Sequence, residues 1–265
     1  MFKTRLLSGI MLVIILIATV GLGGHVLFGV LAAISLIGLS ELYKVVNAEK
    51  TAVGAAGYLA AIVYYTFLFL GMTDQMMLFT VLLIVFLMAT YVFTFPKYKA
   101  DQVMTVFFGV FYVAVMLSFV YQTRMLTAGA IIVWLIFLSS WGCDTCAYCV
   151  GMLIGKRKMA PKLSPKKSVE GGIGGVVGAG LLGALYAVCA NKWMGGDISP
   201  LFCAIVCAVG GMISQIGDLA ASAIKRNYDI KDYGKLIPGH GGILDRFDSV
   251  IFTAPIIYFL AVALL

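Results

Sequence analysis

The chain has 265 residues, of which 62% are hydrophobic and 12% are charged, with a formal net charge of +7 and a mean hydropathy of +1.04. Soluble domains carry about 25% charged residues, so this composition excludes a soluble globular protein and a disordered one. The cysteines also exclude a disulfide-stabilised secreted domain, because they all lie in apolar stretches: Cys143, Cys146, Cys149, Cys189, Cys203 and Cys207.

Apolar runs of the length needed to cross a bilayer, roughly 20 residues, follow one another along the chain. They are continuous and do not alternate, which indicates helices. The predicted spans are residues 6–20, 24–40, 52–70, 76–95, 103–121, 128–150, 172–190, 199–221 and 248–265. Residues 6–20 lack a signal-peptide cleavage site, so we expect a span that is retained in the protein. The glycine-rich break at 21–24 is compatible either with two separate helices or with one long bent helix. The sequence predicts an all-α polytopic membrane protein with about nine transmembrane helices.

The basic residues predict the orientation of these helices. With nine spans and a cytoplasmic N-terminus, all 19 Lys and Arg residues except Arg124 and Lys192 fall in cytoplasmic segments, beginning with Lys3 and Arg5. Cytoplasmic loops normally carry such an excess. We therefore expect a protein integral to the cytoplasmic (plasma) membrane, with two long cytoplasmic loops at residues 151–171 and 222–247. Residues 1–126 would form an N-terminal membrane region of about five spans, and residues 127–265 a catalytic region that contains both loops.

Four aspartates near the cytoplasmic ends of predicted helices are candidates for chemistry. Asp144 lies in the sixth span and Asp218 in the eighth, while Asp245 and Asp248 open the ninth with a spacing that places both on one side of a helix. Ionisable groups at this depth are costly and usually functional. Oxygen ligands suit Mg²⁺, so the set predicts a metal site facing the cytoplasm. For any single aspartate, the alternative remains that it only caps a helix or forms an ion pair with a nearby lysine.

The two loops supply basic and glycine-rich stretches typical of phosphate binding. In the first loop, Ser164, Lys166 and Lys167 precede a predicted helix start at 171–172, where backbone amides can bind an anion. Alternatively, the basic residues of this loop only fix the orientation of the protein in the membrane or contact anionic lipid headgroups. We prefer this explanation for residues 156–158. In the second loop, His240 stands among glycines and is expected to donate to a phosphate or transfer a proton. Arg246 neutralises phosphate charge or pairs with a neighbouring aspartate. His25 and the cysteines at 143, 146 and 149 are interpreted as structural.

Residues 222–248 closely resemble the signature of phosphatidate cytidylyltransferases, the CDP-diacylglycerol synthases. The matching residues are Ser222, Lys225, Arg226, Lys231, Asp232, Gly234, Pro238, His240, Gly241, Gly242, Asp245, Arg246 and Asp248. Residues 141–148 and 164–171 also resemble motifs of that family, and the resemblance covers roughly residues 139–265. It implies transfer of CMP from CTP to phosphatidic acid, giving CDP-diacylglycerol and pyrophosphate for phospholipid biosynthesis.

The resemblance also implies dependence on Mg²⁺, with a monovalent cation such as K⁺ as the second ion, and a homodimer. Its implied metal ligands are Asp218, Asp245 and Asp248, and the predicted catalytic set adds Asp144 and His240. The predicted substrate-binding set is Ser164, Lys166, Lys167, Ser222, Lys225, Arg226, Lys231, Gly241, Gly242 and Arg246. The expected partners are CTP, phosphatidic acid and membrane lipid, and no nucleic acid.

Three alternatives remain open at this point. A polyprenol or dolichol kinase, or an archaeal CDP-lipid synthase, would use similar residues on a different acceptor. An ion or metabolite transporter would also place aspartates in apolar spans, although the carboxylates here gather at one face and not at the midplane. A purely structural membrane protein would explain neither the carboxylates nor the long loops.

Overall fold

The computed structural model describes residues 2–193 and 195–264, apart from the side chains of residues 2–6 and of Thr73. The side chains of Lys3 and Arg5, used above for orientation, and the last residue of the ninth predicted span therefore lie outside the described residues. The helices are α1 (Phe2–Leu22), α2 (Gly24–Val45), α3 (Ala52–Phe69), α4 (Met76–Thr94), α5 (Ala100–Arg124), α6 (Gly129–Ile154), α7 (Val169–Trp193), α8 (Pro200–Asn227) and α9 (Leu244–Leu264). Two short strands, β1 (Lys158–Ala160) and β2 (Ser164–Ser168), lie between α6 and α7.

The helices confirm the prediction of an all-α polytopic membrane protein. Across the described part of the chain, the eight helices from α2 to α9 are long and apolar enough to cross a membrane, and α1 adds a shorter apolar stretch at Leu7–Leu22. Each predicted span overlaps one of these helices, and most of the observed helices extend further. The cytoplasmic position of the N-terminus stays a prediction.

The glycine-rich break after the first span separates two helices. Gly23 has a φ of +63°, in the left-handed region that favours glycine, and it ends α1. Arg124 at the end of α5 donates from Nε to the carbonyl of Val20 at 3.1 Å. A cation at this position complements the partial negative charge of a helix C-terminus. Arg124, one of the two basic residues outside the cytoplasmic series, thus stabilises the end of α1.

The chain packs as two compact units. The first consists of Met1–Ile15, His25–Ser118 and Asp232–Arg246, and the second of Leu16–Gly24, Phe119–Lys231 and Phe247–Leu265. The first unit therefore takes in most of the second long loop as well as α2 to α4. The division into residues 1–126 and 127–265 stays a prediction, because it concerns functional regions and not packing.

Close approach of small residues holds the helices within each unit. In the first unit, Tyr43 is fully buried and donates its hydroxyl to the carbonyl of Val106 at 3.1 Å, in space that Gly57 and Gly109 leave open. In the second unit, the glycines of α7 pack against Cys143 and Cys146 of α6 and against Cys203 and Cys207 of α8. These contacts agree with the interpretation of the cysteines as small packing residues.

The first long loop contains an antiparallel hairpin that the sequence did not predict. Lys158 pairs with Ser168, and Ala160 pairs with Ser164. Ser168 then caps α7 by accepting the amide of Gly171 at 3.1 Å, which is a common helix start. Glu170 accepts the amides of Lys156 and Arg157 at 3.0 and 3.1 Å. The loop is therefore tied by hydrogen bonds to the first turn of α7.

Candidate active site

Asp144 follows a local change in the geometry of α6. The segment Leu138–Gly142 widens to π-helical turns immediately before Cys143. Ser139 and Ser140 satisfy their hydroxyls by donating to carbonyls one turn earlier. Such widened turns are rare and are often found at functional sites. Here the extra residue in the turn changes the direction of the side chains that follow, including Asp144.

Three of the four predicted aspartates come together in the second unit. Asp248 on α9 is only 7% exposed and lies close enough to Asp218 on α8 and Asp144 on α6 to interact electrostatically with both. Gly217 permits this approach of α8 and α9, because a Cβ there would lie 2.9 Å from the Asp248 carbonyl oxygen. We call Asp144, Asp218 and Asp248 the carboxylate cluster. Their proximity is what the sequence predicted for these three residues.

Basic side chains accompany the carboxylate cluster. Lys167 on β2 forms an ion pair with Asp218, and Lys225 on α8 interacts electrostatically with Asp248. Successive residues of a strand point to opposite faces, so Lys166 points away from Lys167 and is exposed. Like charges this close need compensating positive charge. Lys167 and Lys225 supply it in this structure.

The other predicted substrate-binding residues of the second unit occupy separate positions. Ser222 and Lys225 follow Asp218 by four and seven residues, so all three share one face of α8. Arg226 and Lys231 are exposed at and beyond the end of that helix, and Ser164 is half-buried at the start of β2. Binding of CTP by these residues stays a prediction.

Asp245 closes the loop that precedes α9, within the first unit. We call residues 232–244 the signature loop. Asp245 is 8% exposed, and its Oδ2 accepts the amides of Tyr233 at 2.8 Å and Gly242 at 3.0 Å. Gly241 adopts a left-handed φ of +83° beside the same oxygen. Asp245 therefore holds the loop in a closed turn, and its predicted role as a metal ligand is untested.

His240 and Arg246 are also held in place within the first unit. His240 Nδ1 lies 2.8 Å from the hydroxyl of Ser8 on α1, and that hydroxyl is 3.1 Å from the carbonyl of Pro238. Arg246 donates from Nε to the His240 carbonyl at 2.9 Å. Sequence reasoning missed Ser8, because nothing in its apolar surroundings indicates a contact more than 200 residues away.

Glu41 is the second residue that sequence reasoning missed. The residue is 3% exposed, and its carboxylate accepts the amide of Ile243 on Oε1 at 3.0 Å and the amide of Leu244 on Oε2 at 2.8 Å. A signal was available, because Glu41 is the one acidic residue in the apolar stretch Gly24–Val45 and such residues are usually functional. Its contact with the signature loop is visible only in the fold.

The donor atoms of the carboxylate cluster are of the kind that Mg²⁺ prefers, namely carboxylate oxygens. Among residues 2–193 and 195–264, no three His, Cys, Asp or Glu side chains stand close enough to hold an ion by themselves. Mg²⁺ usually takes only one or two protein carboxylates and binds substrate phosphates and water besides. Asp218 and Asp248 provide two carboxylates, and the Lys167 ammonium already places a positive charge on Asp218.

Comparison with known proteins places this site in a family. The chain is 45% identical over 120 residues to the phosphatidate cytidylyltransferase of Bacillus subtilis, covering 45% of this chain and 43% of that protein. It is 42% identical over 140 residues to the protein of that name from Synechocystis sp. (52% and 45%), and 38% identical over 125 residues to that of Thermotoga maritima (47% and 46%). The chain thus spans about half the length of the curated relatives it matches.

A family model covers far more of the chain than these pairwise matches. The model described as the Cytidylyltransferase family matches residues 3–264, which include the carboxylate cluster, the hairpin and the signature loop. The match extends over helices of both packing units. The chain therefore belongs to the cytidylyltransferase family.

Proposed function

We propose that this protein transfers the CMP moiety of CTP to phosphatidic acid, giving CDP-diacylglycerol and pyrophosphate for phospholipid biosynthesis. The observation that carries the proposal is the carboxylate cluster with Lys167 and Lys225, in a chain of the cytidylyltransferase family. The names of the curated relatives support phosphatidic acid as the acceptor.

The proposed reaction is an in-line displacement at phosphorus. A phosphate oxygen of phosphatidic acid attacks the α-phosphorus of CTP, and the bond to pyrophosphate breaks as the new oxygen–phosphorus bond forms. The attacking oxygen is already anionic, so no strong general base is needed. The main work is to hold two anions together and to stabilise the charge on the phosphoryl oxygens. In this proposal Lys166, Lys167, Lys225, Arg226 and Arg246 bind the phosphates.

A pair of cations is part of the proposal: Mg²⁺ and a second ion, for which a monovalent cation such as K⁺ is one candidate, with Asp218, Asp245 and Asp248 as the protein ligands of the pair. When bound, Mg²⁺ neutralises charge on the phosphates of CTP. Asp144 orients groups beside it, and His240 contributes a hydrogen bond or a proton to the phosphates. Lys167 is paired with Asp218 in the structure, so it is in place to take up a phosphate when the nucleotide arrives.

The proposed setting is the cytoplasmic membrane, with the site facing the cytoplasm and the protein acting as a homodimer. CTP would then enter from water and phosphatidic acid from the bilayer. The interfacial depth predicted for the aspartates suits both routes. The positive-inside distribution of Lys and Arg supports this orientation.

The test is product analysis with purified protein in lipid nanodiscs. We expect CTP, Mg²⁺ and phosphatidic acid to yield CDP-diacylglycerol and an equal amount of pyrophosphate. A polyprenol in place of phosphatidic acid should give no product. If instead the polyprenol were converted to polyprenyl phosphate and phosphatidic acid gave no lipid product, the protein would be a lipid kinase. No lipid product with either acceptor would contradict the proposal, and ion flux in proteoliposomes would then favour a transporter.

A further inference from the structure

We propose that Glu41 is a positioning residue: from α2 it fixes the first turn of α9, and thereby the direction of Asp245. This inference rests on the proposed function, because it assigns Asp245 to the reacting site. It adds a residue outside the C-terminal half, where the resemblance to the family was found.

The hydrogen bonds of Glu41 replace a missing local helix cap. The first amides of a helix have no partner within it, and an Asn, Asp, Ser or Thr just before the helix usually accepts one of them. Ile243 stands immediately before α9, and its side chain cannot accept a hydrogen bond. Glu41 accepts the amides of Ile243 and Leu244 instead, one on each carboxylate oxygen. Its negative charge also suits the positive end of the helix dipole.

Two glycines of the signature loop leave room for the Glu41 carboxylate. A Cβ on Gly234 or on Gly242 would overlap Glu41 Oε1, at distances shorter than any real contact. Neither glycine has a left-handed φ, so conformational freedom does not explain them. We infer that both positions are kept small by Glu41, and that the loop and the carboxylate form one packed arrangement.

The effect on function follows from position along α9. Asp245 is the second residue of the helix whose start Glu41 holds, so a shift of the first turn displaces it. Most of the basic residues proposed to bind CTP, such as Lys167 and Lys225, lie on β2 and α8, and of that set Arg246 alone lies in the first turn of α9. Loss of Glu41 should therefore affect turnover and the response to Mg²⁺ more than the affinity for CTP.

The first experiment compares Glu41→Gln with Glu49→Gln. Gln keeps the shape of Glu but turns an NH₂ group toward one of the two amides. Glu49 lies near the same end of α2 and pairs with Lys44 and Ser40, away from the loop. We expect Glu41→Gln to lower kcat and weaken Mg²⁺ activation by at least ~10-fold, the scale for residues that orient metal ligands, with a smaller change in KM for CTP. Glu49→Gln should behave as wild type.

A second experiment separates positioning from general loss of structure. Gly234→Ala should lower activity in the wild-type background but cause much less further loss in a Glu41→Ala background, because the carboxylate it collides with is gone and only the Gly242 Cα remains close, at 3.1 Å. Hydrogen–deuterium exchange should show faster exchange at residues 243–244 in Glu41→Gln and not in Glu49→Gln.

The inference is overturned if Glu41→Gln lowers kcat with unchanged Mg²⁺ dependence, or if Gly234→Ala is equally harmful in both backgrounds. If the wild type forms no CDP-diacylglycerol, the proposed function fails instead. Exchange at residues 243–244 then still decides whether Glu41 anchors α9, since an unchanged rate in Glu41→Gln contradicts the anchor.

Discussion

Lys167 in the hairpin of β1 and β2 forms an ion pair with Asp218 on α8, and the two side chains are each 26% exposed. This pair joins the first long loop to the carboxylate cluster within the second unit. The pair distinguishes Lys167 from Lys166, although the two lysines look equivalent in the sequence.

Replacing Lys167 by Met should reduce kcat/KM for CTP at least ~10²-fold, the scale of losing one positioned charge in a polar site. The cluster would lose the cation that offsets Asp218, and the triphosphate would lose a ligand. Lys162→Met is the matched control, because Lys162 is exposed in the turn of the same hairpin. Steady-state kinetics of both variants in nanodiscs decide the matter, and equal activity in the two would remove Lys167 from the site.

Each aspartate of the proposed metal site should be required for turnover. We expect Asp218→Asn, Asp245→Asn and Asp248→Asn each to lower turnover at least ~10²-fold, because each removes a charge from the proposed metal site. Asp197→Asn, an exposed substitution outside the helices, should retain wild-type turnover. A well-folded Asp248→Asn variant of near-normal activity would exclude that residue from catalysis.

Removal of divalent ions should abolish activity reversibly. Treatment with a chelator should stop CDP-diacylglycerol formation, and an excess of Mg²⁺ should restore it, because the phosphates of two anionic reactants must be neutralised. Activity is followed by lipid product with and without added Mg²⁺. Full activity of chelator-treated enzyme would show that the metal part of the proposal is wrong.

Gly217 should be sensitive to enlargement. Gly217→Ala places a methyl group 2.9 Å from the Asp248 carbonyl and 3.0 Å from the Phe252 side chain, and overpacking of this kind destabilises by about 1–3 kcal/mol. Gly29→Ala is the control, since its Cβ would meet nothing within 4 Å. Thermal unfolding in one detergent should show a lower Tm for Gly217→Ala only. A wild-type Tm for that variant would contradict the close packing of α8 on α9.

The membrane helices could be predicted from sequence because hydrocarbon imposes a length and an apolar composition on each span. The convergence of Asp144, Asp218 and Asp248 could be predicted for a related reason. Asp144 and Asp218 lie in the C-terminal halves of α6 and α8, whereas Asp248 lies near the start of α9, and helices that cross a membrane in alternating directions are predicted to bring these positions to one face. Depth along a helix is encoded locally, so local sequence was sufficient for both.

The contacts made across long sequence separations could not be predicted. Lys166 and Lys167 are indistinguishable by composition, and only the strand pairing in the hairpin directs Lys167 toward Asp218. Glu41 and Ser8 contact the signature loop from more than 200 residues away. The π-helical turns before Asp144 depend on packing of the whole helix and not on a recognisable motif.

The most direct test of the central claim uses CTP labelled at the α-phosphate or at the γ-phosphate, with purified wild-type protein, Mg²⁺ and phosphatidic acid. We predict that the α-label appears in lipid in an amount equal to the pyrophosphate released. Among the products, the γ-label should appear only in pyrophosphate. Asp218→Asn should form neither labelled lipid nor labelled pyrophosphate above a small fraction of the wild-type amount. Transfer of γ-label to lipid, or no labelled lipid at all from active-site-intact protein, would contradict the account.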